Sequence, residues 1–431
     1  YTNYLYKYSN YSSKSLVNYG EGIYVGYRYY ETRGYEEGVP EGGVYTTKEL
    51  HGTSTTEWDS WYDANVVYPF GHGLSYTKFD WEFVSSDIEE GGELPEDGSL
   101  TVTVKVTNTG ERAGKDVVQL YFTAPYTEGG IEKPYVELGD YVKTDLLAPG
   151  KSQTVSLTVK TRDMASYDYN DENGNGFRGY EAEGGKYVIS LSRNAHDHVI
   201  TKEYSVPDEG YRYAESESGN PVENRFEDAE MAGTVYMSRT DFAGTFPKEP
   251  TAEQRIASQE TMDAVHETSD NDAIIECDDP SDPYYSAEMP VTGANNDIKL
   301  IDLYGLAYDD PKWDLFLDQL TVGDKNTPGT MAYTIWTSGW TTHGIDSLGI
   351  PTFSHEDGPS GIAGRYVGGS YTNFASETVT ASTWNKELAY RKGLMIGSQG
   401  MFGNGGSNRV HALYAPACNI HRSPFGGRNF E

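Results

Sequence analysis

The chain has 431 residues, enough for two to four domains at roughly 100–200 residues each. Its 66 acidic side chains against 33 basic ones give a net charge of −33, and no basic stripe offsets it, so a nucleic-acid partner is excluded. No apolar run approaches the ~20 residues that cross a bilayer, which excludes a membrane span.

Residues 1–78 are crowded with tyrosine and glycine, and end in Tyr68-Pro-Phe-Gly-His-Gly-Leu-Ser-Tyr76. Glycine and proline at this density mark turns and close backbone approach. A stretch so irregular does not bury its aromatics alone, so it reads as the tail of a larger domain. Tyr24, Tyr27, Tyr29 and Tyr30 would suit a sugar-stacking platform, but packing against the remainder of that domain is the expectation. No charged-then-apolar leader follows Tyr1, so no signal peptide is visible and the location stays open.

Residues 79–205 change period. Leu100, Val102, Val104 and Val106 alternate with Thr101, Thr103, Lys105 and Thr107, which predicts a half-buried strand with one wet face. Val118, Leu120 and Phe122 repeat the pattern, as do Val155, Leu157 and Val159, then Tyr187, Ile189 and Leu191. Turn signals at Asn108-Thr-Gly110, Pro149-Gly150 and Gly184-Gly185 separate them, so an antiparallel β-sandwich is expected. Residues 206–300 are acidic and polar and read as a linker or wrapping segment, with one helix announced by the capping box Thr251-Ala-Glu-Gln254.

From residue 301 the pattern becomes mixed α and β. Asp310 and Pro311 open a helix whose buried stripe is Trp313, Phe316, Leu317 and Leu320. Ile350-Pro-Thr-Phe-Ser-His355 predicts a short buried strand running into Asp357-Gly-Pro-Ser-Gly361. Asn385 caps a helix with Leu388, Ala389, Met395 and Ile396 on its apolar face, and Val410–Pro416 predicts another strand. Strand, polar loop, helix, strand is how a (β/α) barrel begins, with functional side chains on the loops after strands. Residues 301–431 hold too few strands to close one.

Cofactor chemistry finds no footing. Cys277 and Cys418 exclude a disulfide-rich scaffold and a Cys-only zinc site, and His196-Asp-His198 reads as a solvated loop because zinc needs three or four convergent ligands. Asp171-Glu-Asn-Gly-Asn-Gly176 has the oxygens and glycine of a calcium loop, but its twelfth position is Ala182, so a β-hairpin loop is expected. No metal site and no cofactor are assigned.

Seven segments carry a resemblance. Tyr68–Tyr76 resembles the signature leading into the last domain of glycoside hydrolase family 3. Val106-Thr-Asn-Thr-Gly-Glu-Arg-Ala-Gly-Lys-Asp-Val-Val-Gln-Leu-Tyr121, with Glu132-Lys-Pro-Tyr135 and Leu146-Leu-Ala-Pro-Gly150, resembles that family's fibronectin type III-like domain. Asp357–Gly361, Thr383-Trp-Asn385 and Gly426-Gly-Arg-Asn-Phe-Glu431 resemble motifs of its barrel. The implied architecture is multidomain, α/β plus all-β: the tail of an α/β sandwich domain (1–78), a fibronectin type III-like β-sandwich (79–205), a linker (206–300) and the start of a (β/α)8 TIM-type barrel (301–431). The fibronectin-like segment precedes the barrel segment, as in the family's permuted branch among bacterial β-glucosidases.

The resemblance implies a retaining exo-acting β-glycosidase, a β-glucosidase acting on a β-linked glucoside or short oligosaccharide. Its nucleophile and acid/base would lie outside this chain. Ser86-Asp87 and Asp80-Trp81 do not match the family context of the nucleophile, so no catalytic residue is assigned. The sugar-holding half remains: Asp357 matches the family Asp that accepts from adjacent sugar hydroxyls, and Arg428 the Arg that donates to them. Read without the family, Asp357 is a turn residue before Gly358-Pro359, and Arg428 a salt-bridge partner of Glu431. Where the family often carries a further Arg this chain has Ala363, with Arg365 a shifted substitute. Asn429 and Glu431 would brace Arg428, while His421 and Arg422 follow a strand end, where a place in the pocket and a structural role are equal alternatives. A second copy or a complementary chain is the partner that would complete the barrel. The competing reading is a non-catalytic structural or sugar-binding protein built from glycosidase domains.

Overall fold

The computed structural model describes residues 4–7, 15–38, 61–62, 64–224, 235–248, 291–320, 341–342, 344–403, 408–417, 420–422 and 426–430. The chain divides into two compact units, Tyr1–Ser269 with His421–Pro424, and Asp270–Ile420 with Phe425–Glu431.

The first unit opens with an antiparallel pair, β1 (Tyr4–Lys7) and β2 (Ser15–Asn18), and a helix, α1 (Tyr27–Gly38). The β-sandwich follows: β3 (Phe79–Ser86), β4 (Ser99–Asn108), β5 (Val117–Thr123), β6 (Glu137–Lys143), β7 (Ser152–Lys160), β8 (Ser166–Asp168), β9 (Gly179–Ala182), β10 (Gly185–Ser192), β11 (His198–Val206) and β12 (Tyr211–Tyr213). Its sheets run β3-β4-β7, β11-β10-β5-β6 and β12-β9-β8, every pairing antiparallel.

In β4 the expected alternation holds. Leu100, Val102, Val104 and Val106 are buried against Val155, Leu157 and Val159 of β7. On the wet face Thr101, Thr103 and Thr107 exchange hydroxyl hydrogen bonds with Thr158, Ser156 and Ser152, the side-chain ladder that stabilises an exposed antiparallel pair. The inward row ends in a polar residue, the fully buried Asn108. Its amide donates to the carbonyls of Arg112 (2.7 Å) and Leu147 (2.8 Å) and accepts from the Thr77 hydroxyl (2.7 Å) and the Gly110 N–H (3.0 Å), so every group it buries is satisfied.

β5 departs from the expected half-wet strand. Val118, Gln119, Leu120, Tyr121 and Phe122 are all buried, because α1 and the 68–76 segment cover the face that alternation would leave to water. Tyr27 stacks on Phe70 (centroids 4.5 Å apart) and meets Tyr121 edge-on at 6.1 Å. Gln119 donates to the carbonyls of Gly71 (3.2 Å) and Arg193 (2.7 Å) and accepts from the Tyr121 hydroxyl (2.8 Å). Gly71 cannot be replaced here: its φ is +83°, and a Cβ would lie 2.1 Å from the Gln119 side-chain oxygen. The four tyrosines therefore pack, against partners that include the β-sandwich, Trp61 and residues 237–246: Tyr24 and Tyr29 are buried with Met237 and Phe242.

Glu132-Lys-Pro-Tyr135 is the clasp of this interface. Glu132 accepts from the hydroxyls of Tyr24 and Ser238 and from the Arg239 N–H (3.0 Å). The guanidinium of Arg239 binds Glu36 (2.6 Å) and the Lys133 carbonyl (3.2 Å) and lies over the Tyr126 ring. Tyr135 stacks on Tyr35 at 4.2 Å, and its N–H donates to the Thr32 hydroxyl (2.8 Å). Lys133 is buried in an ion pair with Glu183, and that burial lowers its pKa despite the pairing. So part of the 206–300 connection is structured: Tyr211–Tyr213 extends a sheet, and Phe242–Thr245 forms a short helix, α2. The capping box at 251–254 and both cysteines lie outside the described residues.

His196-Asp-His198 is not a solvated loop. The His196 ring stacks on Tyr62 (3.9 Å), and its Nδ1 pairs with Oε2 of the buried Glu31 at 2.9 Å, while the Tyr62 hydroxyl donates to the other oxygen of Glu31. His198 Nδ1 sits 2.8 Å from the Ser192 hydroxyl, and burial, together with the neighbouring His196, lowers its pKa to about 4. The 171–176 stretch is the loop of the β8–β9 hairpin, as expected. The Asn173 and Asn175 side-chain oxygens accept from backbone N–H groups and their amide nitrogens donate to Glu181 (3.3 and 2.7 Å). Among the described residues no group of three or more His, Cys, Asp or Glu side chains is disposed to hold a metal ion.

In the second unit, α3 (Lys312–Leu317) begins after Asp310, whose carboxylate accepts from the Lys312 N–H (2.9 Å). Phe316 is buried with Ile298, Leu303 and Leu348, and Trp313 and Leu320 pack against that cluster; Leu317 is 48% exposed and lies outside the expected stripe. The strands are β13 (Thr341–Thr342), β14 (Phe353–Asp357) and β15 (Ala412–Tyr414), with helices α4 (Glu377–Ala381) and α5 (Lys386–Phe402) between the last two. Asn385 caps α5 as expected, accepting from the Leu388 N–H at 3.1 Å. The apolar face expected on α5 is not buried among the described residues, where Leu388 and Met395 are 44% and 52% exposed.

Two outcomes test this account. Asn108→Ala strands two carbonyls, a hydroxyl and an N–H in the sandwich, and should lower unfolding stability by about 1–3 kcal/mol in urea titrations, with the denaturant slope unchanged. His198 has its proton affinity lowered in the fold, so the unfolded chain takes up the proton first as pH falls from 6.5 to about 4. Stability should therefore drop across that window by on the order of 3 kcal/mol, and His198→Asn should flatten the decline in pH-dependent melts.

Candidate functional site

β14 is short because Pro351 precedes it and Gly358-Pro359 ends it. It starts later than expected, at Phe353, and that residue is 37% exposed. β14 pairs antiparallel with β13 and parallel with β15, in the register His355↔Ala412, Glu356↔Leu413 and Asp357↔Tyr414. α5 supplies the crossover that parallel neighbours require. It closes on the sheet at Gly400, where the Val410 N–H donates to the Gly400 carbonyl (3.0 Å) and a Cβ would lie 3.1 Å from the Val410 carbonyl.

The carboxyl ends of parallel strands are where α/β folds place their ligand-handling side chains. Asp357 stands at that end of β14 and is half-buried. The loop after it returns at once: the Ala363 N–H donates to the Asp357 carbonyl (2.9 Å), and the Gly358 N–H to the Asp357 side chain (3.0 Å). Only glycine fits this return. Gly358 has φ +141°, and a Cβ there would lie 1.7 Å from the Gly361 carbonyl oxygen. Residues 355 and 357 share a strand face, and beside Asp357 the His355 ring stacks on Tyr414, whose hydroxyl is 3.4 Å from the His355 Nδ1.

Arg428 lies in the turn 427–430, exposed, and the Phe430 carbonyl of that turn accepts from the Glu377 N–H at the start of α4 (3.3 Å). Asp357 bonds to the 358–363 loop and, through its N–H, to the Glu356 carboxylate, and pairs with Tyr414 of β15, while the Arg428 turn meets α4. Glu431, the alternative partner of Arg428, is outside the described residues. Arg365 is exposed and lies over the Tyr366 ring at 5.3 Å. Arg422 belongs to the first unit, where it donates to Glu21 (3.2 Å) and the Gly22 carbonyl (2.9 Å) and covers the Tyr19 ring.

Comparison with known proteins now bears on this geometry. The fibronectin type III-like domain model matches residues 116–195. Along 96% of the chain the sequence is 31% identical to beta-glucosidase A of Butyrivibrio fibrisolvens, and along 98% it is 29% identical to a beta-glucosidase of Ruminococcus albus. A crystallised beta-glucosidase of Paenibacillus barengoltzii superposes with a TM-score of 0.60 and 28% identity over 96% of this chain. The chain is similar to β-glucosidases along almost its whole length. It spans 46% and 37% of the length of the two relatives and 39% of the crystallised chain.

One residue beside Asp357 has no place in the sequence reading. Glu356 is fully buried beside Asp357, and its carboxylate accepts from the Tyr366 N–H (2.9 Å), the Val367 N–H (3.0 Å) and the Asp357 N–H (3.1 Å). The signal was available in strand alternation: an Asp357 that faces the loop turns Glu356 to the opposite side.

The glycine requirement is directly testable. Gly358→Ala should lower the opening free energy of the return, read from hydrogen exchange at the Ala363 amide, by about 1–3 kcal/mol.

Proposed function

We propose that the chain is part of a retaining, exo-acting β-glycosidase, a β-glucosidase that releases the terminal non-reducing sugar from β-glucosides and short oligosaccharides. The observation that carries this reading is the match to β-glucosidases along 96% of the chain. The position of Asp357 at the carboxyl end of β14, before a tightly returning loop, supports it.

In this reading Asp357 accepts hydrogen bonds from two neighbouring sugar hydroxyls, one per carboxylate oxygen, with charge-assisted strength. Arg428 donates from its planar guanidinium, which orients as well as attracts. Retention of configuration needs two further carboxyl groups about 5–5.5 Å apart, one acting as nucleophile and one as acid/base. None of the 431 residues is assigned either role.

The full-length gene product should hydrolyse an aryl β-glucoside; inactivity on β-glucoside, β-xyloside and N-acetylglucosaminide alike would overturn the reading. In the same protein Asp357→Ala should raise the inhibition constant for glucose by roughly 5- to 150-fold, the loss of about 1–3 kcal/mol of charged hydrogen bonding.

A further inference from the structure

The geometry points to Glu356 as the positioning residue that aims Asp357 at the sugar, by clasping the two ends of the 358–367 loop to one buried carboxylate; this rests on the reading of Asp357 given above. Glu356 has no exposed surface. The hydrogen bonds described for it come from main-chain N–H groups: Asp357 at the strand end on one oxygen, Tyr366 and Val367 at the far side of the loop on the other. A buried carboxylate is costly to desolvate and is retained where several N–H donors answer it at once.

The loop needs such a clasp. It contains Gly358, Gly361 and Gly364, each at positive φ (+141°, +121° and +67°), and a chain so rich in glycine loses more freedom on ordering than any other. Two main-chain bonds hold its first half: the Ala363 N–H on the Asp357 carbonyl, and the Phe374 N–H on the Ser360 carbonyl (2.7 Å). With both oxygens of Glu356 engaged, the peptide between Glu356 and Asp357 is fixed from the Asp357 N–H, and so is the direction in which the Asp357 side chain leaves the strand. Glu356 touches neither the sugar nor a reacting atom in this role; it acts through Asp357.

A glutamine at this position keeps the shape but has one accepting oxygen. Its NH2 group must face either the Asp357 N–H or the Tyr366 and Val367 pair, so one side of the clasp opens. In the full-length enzyme Glu356→Gln should raise the glucose inhibition constant and the KM for an aryl β-glucoside together, by on the order of tenfold, with a smaller change in kcat. Because the effect passes through Asp357, adding Glu356→Gln to Asp357→Ala should cost nothing further in glucose affinity.

Additive losses in the double variant, or an unchanged glucose constant in a folded Glu356→Gln protein, would overturn the role of Glu356 while leaving Asp357 in place. An Asp357→Ala protein that binds glucose normally would instead remove Asp357 from the sugar, and the positioning role with it. Should Glu356→Gln fail to fold, hydrogen exchange in the wild-type enzyme decides: saturating glucose should slow exchange at the Tyr366 and Val367 amides, and unchanged exchange there would overturn the clasp.

Discussion

The outer face of the β11-β10-β5-β6 sheet cannot be left in water. Tyr121 and Gln119 on β5 are as buried as the inward-facing Val118 and Leu120, so the sheet carries apolar and amide surface on both sides. An antiparallel sheet normally solvates one face. Here the second face is closed by α1 and the 68–76 segment, and the closure explains much of the first unit. Phe70 needs Tyr27 to stack on, Gly71 needs its bare Cα for Gln119 to pass, and Thr32, Tyr35 and Glu36 need the clasp formed by residues 132–135 and Arg239. The fibronectin-like sandwich and the residues before it therefore form one folding problem, not two modules joined by a tether.

That dependence also separates what was legible in the sequence from what was not. β4 and β7 meet only the core and the solvent, and a period of two describes such strands completely. β5 meets a second layer, so counting one buried face understates it; the clue was its composition, Val-Val-Gln-Leu-Tyr-Phe, with a single polar residue. α1 was hidden for the opposite reason. Its buried face includes Glu31 and Thr32, which a polar–apolar reading assigns to water, and only their partners His196, Tyr62 and Tyr135 make them interior. The paired histidines were misread on the same ground: a polar tripeptide in a loop looks solvated until a carboxylate from another element is placed beside it. At the candidate site the Asp-Gly-Pro motif located the strand end, but not the neighbouring acid that organises it, because Glu356 works on main-chain N–H groups, which every residue type supplies.

Buried and half-buried carboxylates answered by peptide N–H groups recur in both units. Asp168 accepts from the Asn170 and Glu172 N–H groups and ties down the start of the β8–β9 loop. Glu132 accepts from the Arg239 N–H, together with two hydroxyls, and seats residues 238–239. Glu356 accepts from Tyr366 and Val367. In a chain that carries 66 acidic side chains to 33 basic ones, cations are too few to partner every interior acid, and the backbone supplies the donors instead. Such a fixture grips the course of the chain and is indifferent to the side chains along it. The hold on Asp357 then asks no side-chain contact of Ala363, and Arg365 can lie exposed two residues later. Sequence drift in the loop is buffered by an acid beneath it, whereas drift at the acid, or at the glycines whose backbones only they can adopt, acts directly on the residue proposed to meet the sugar.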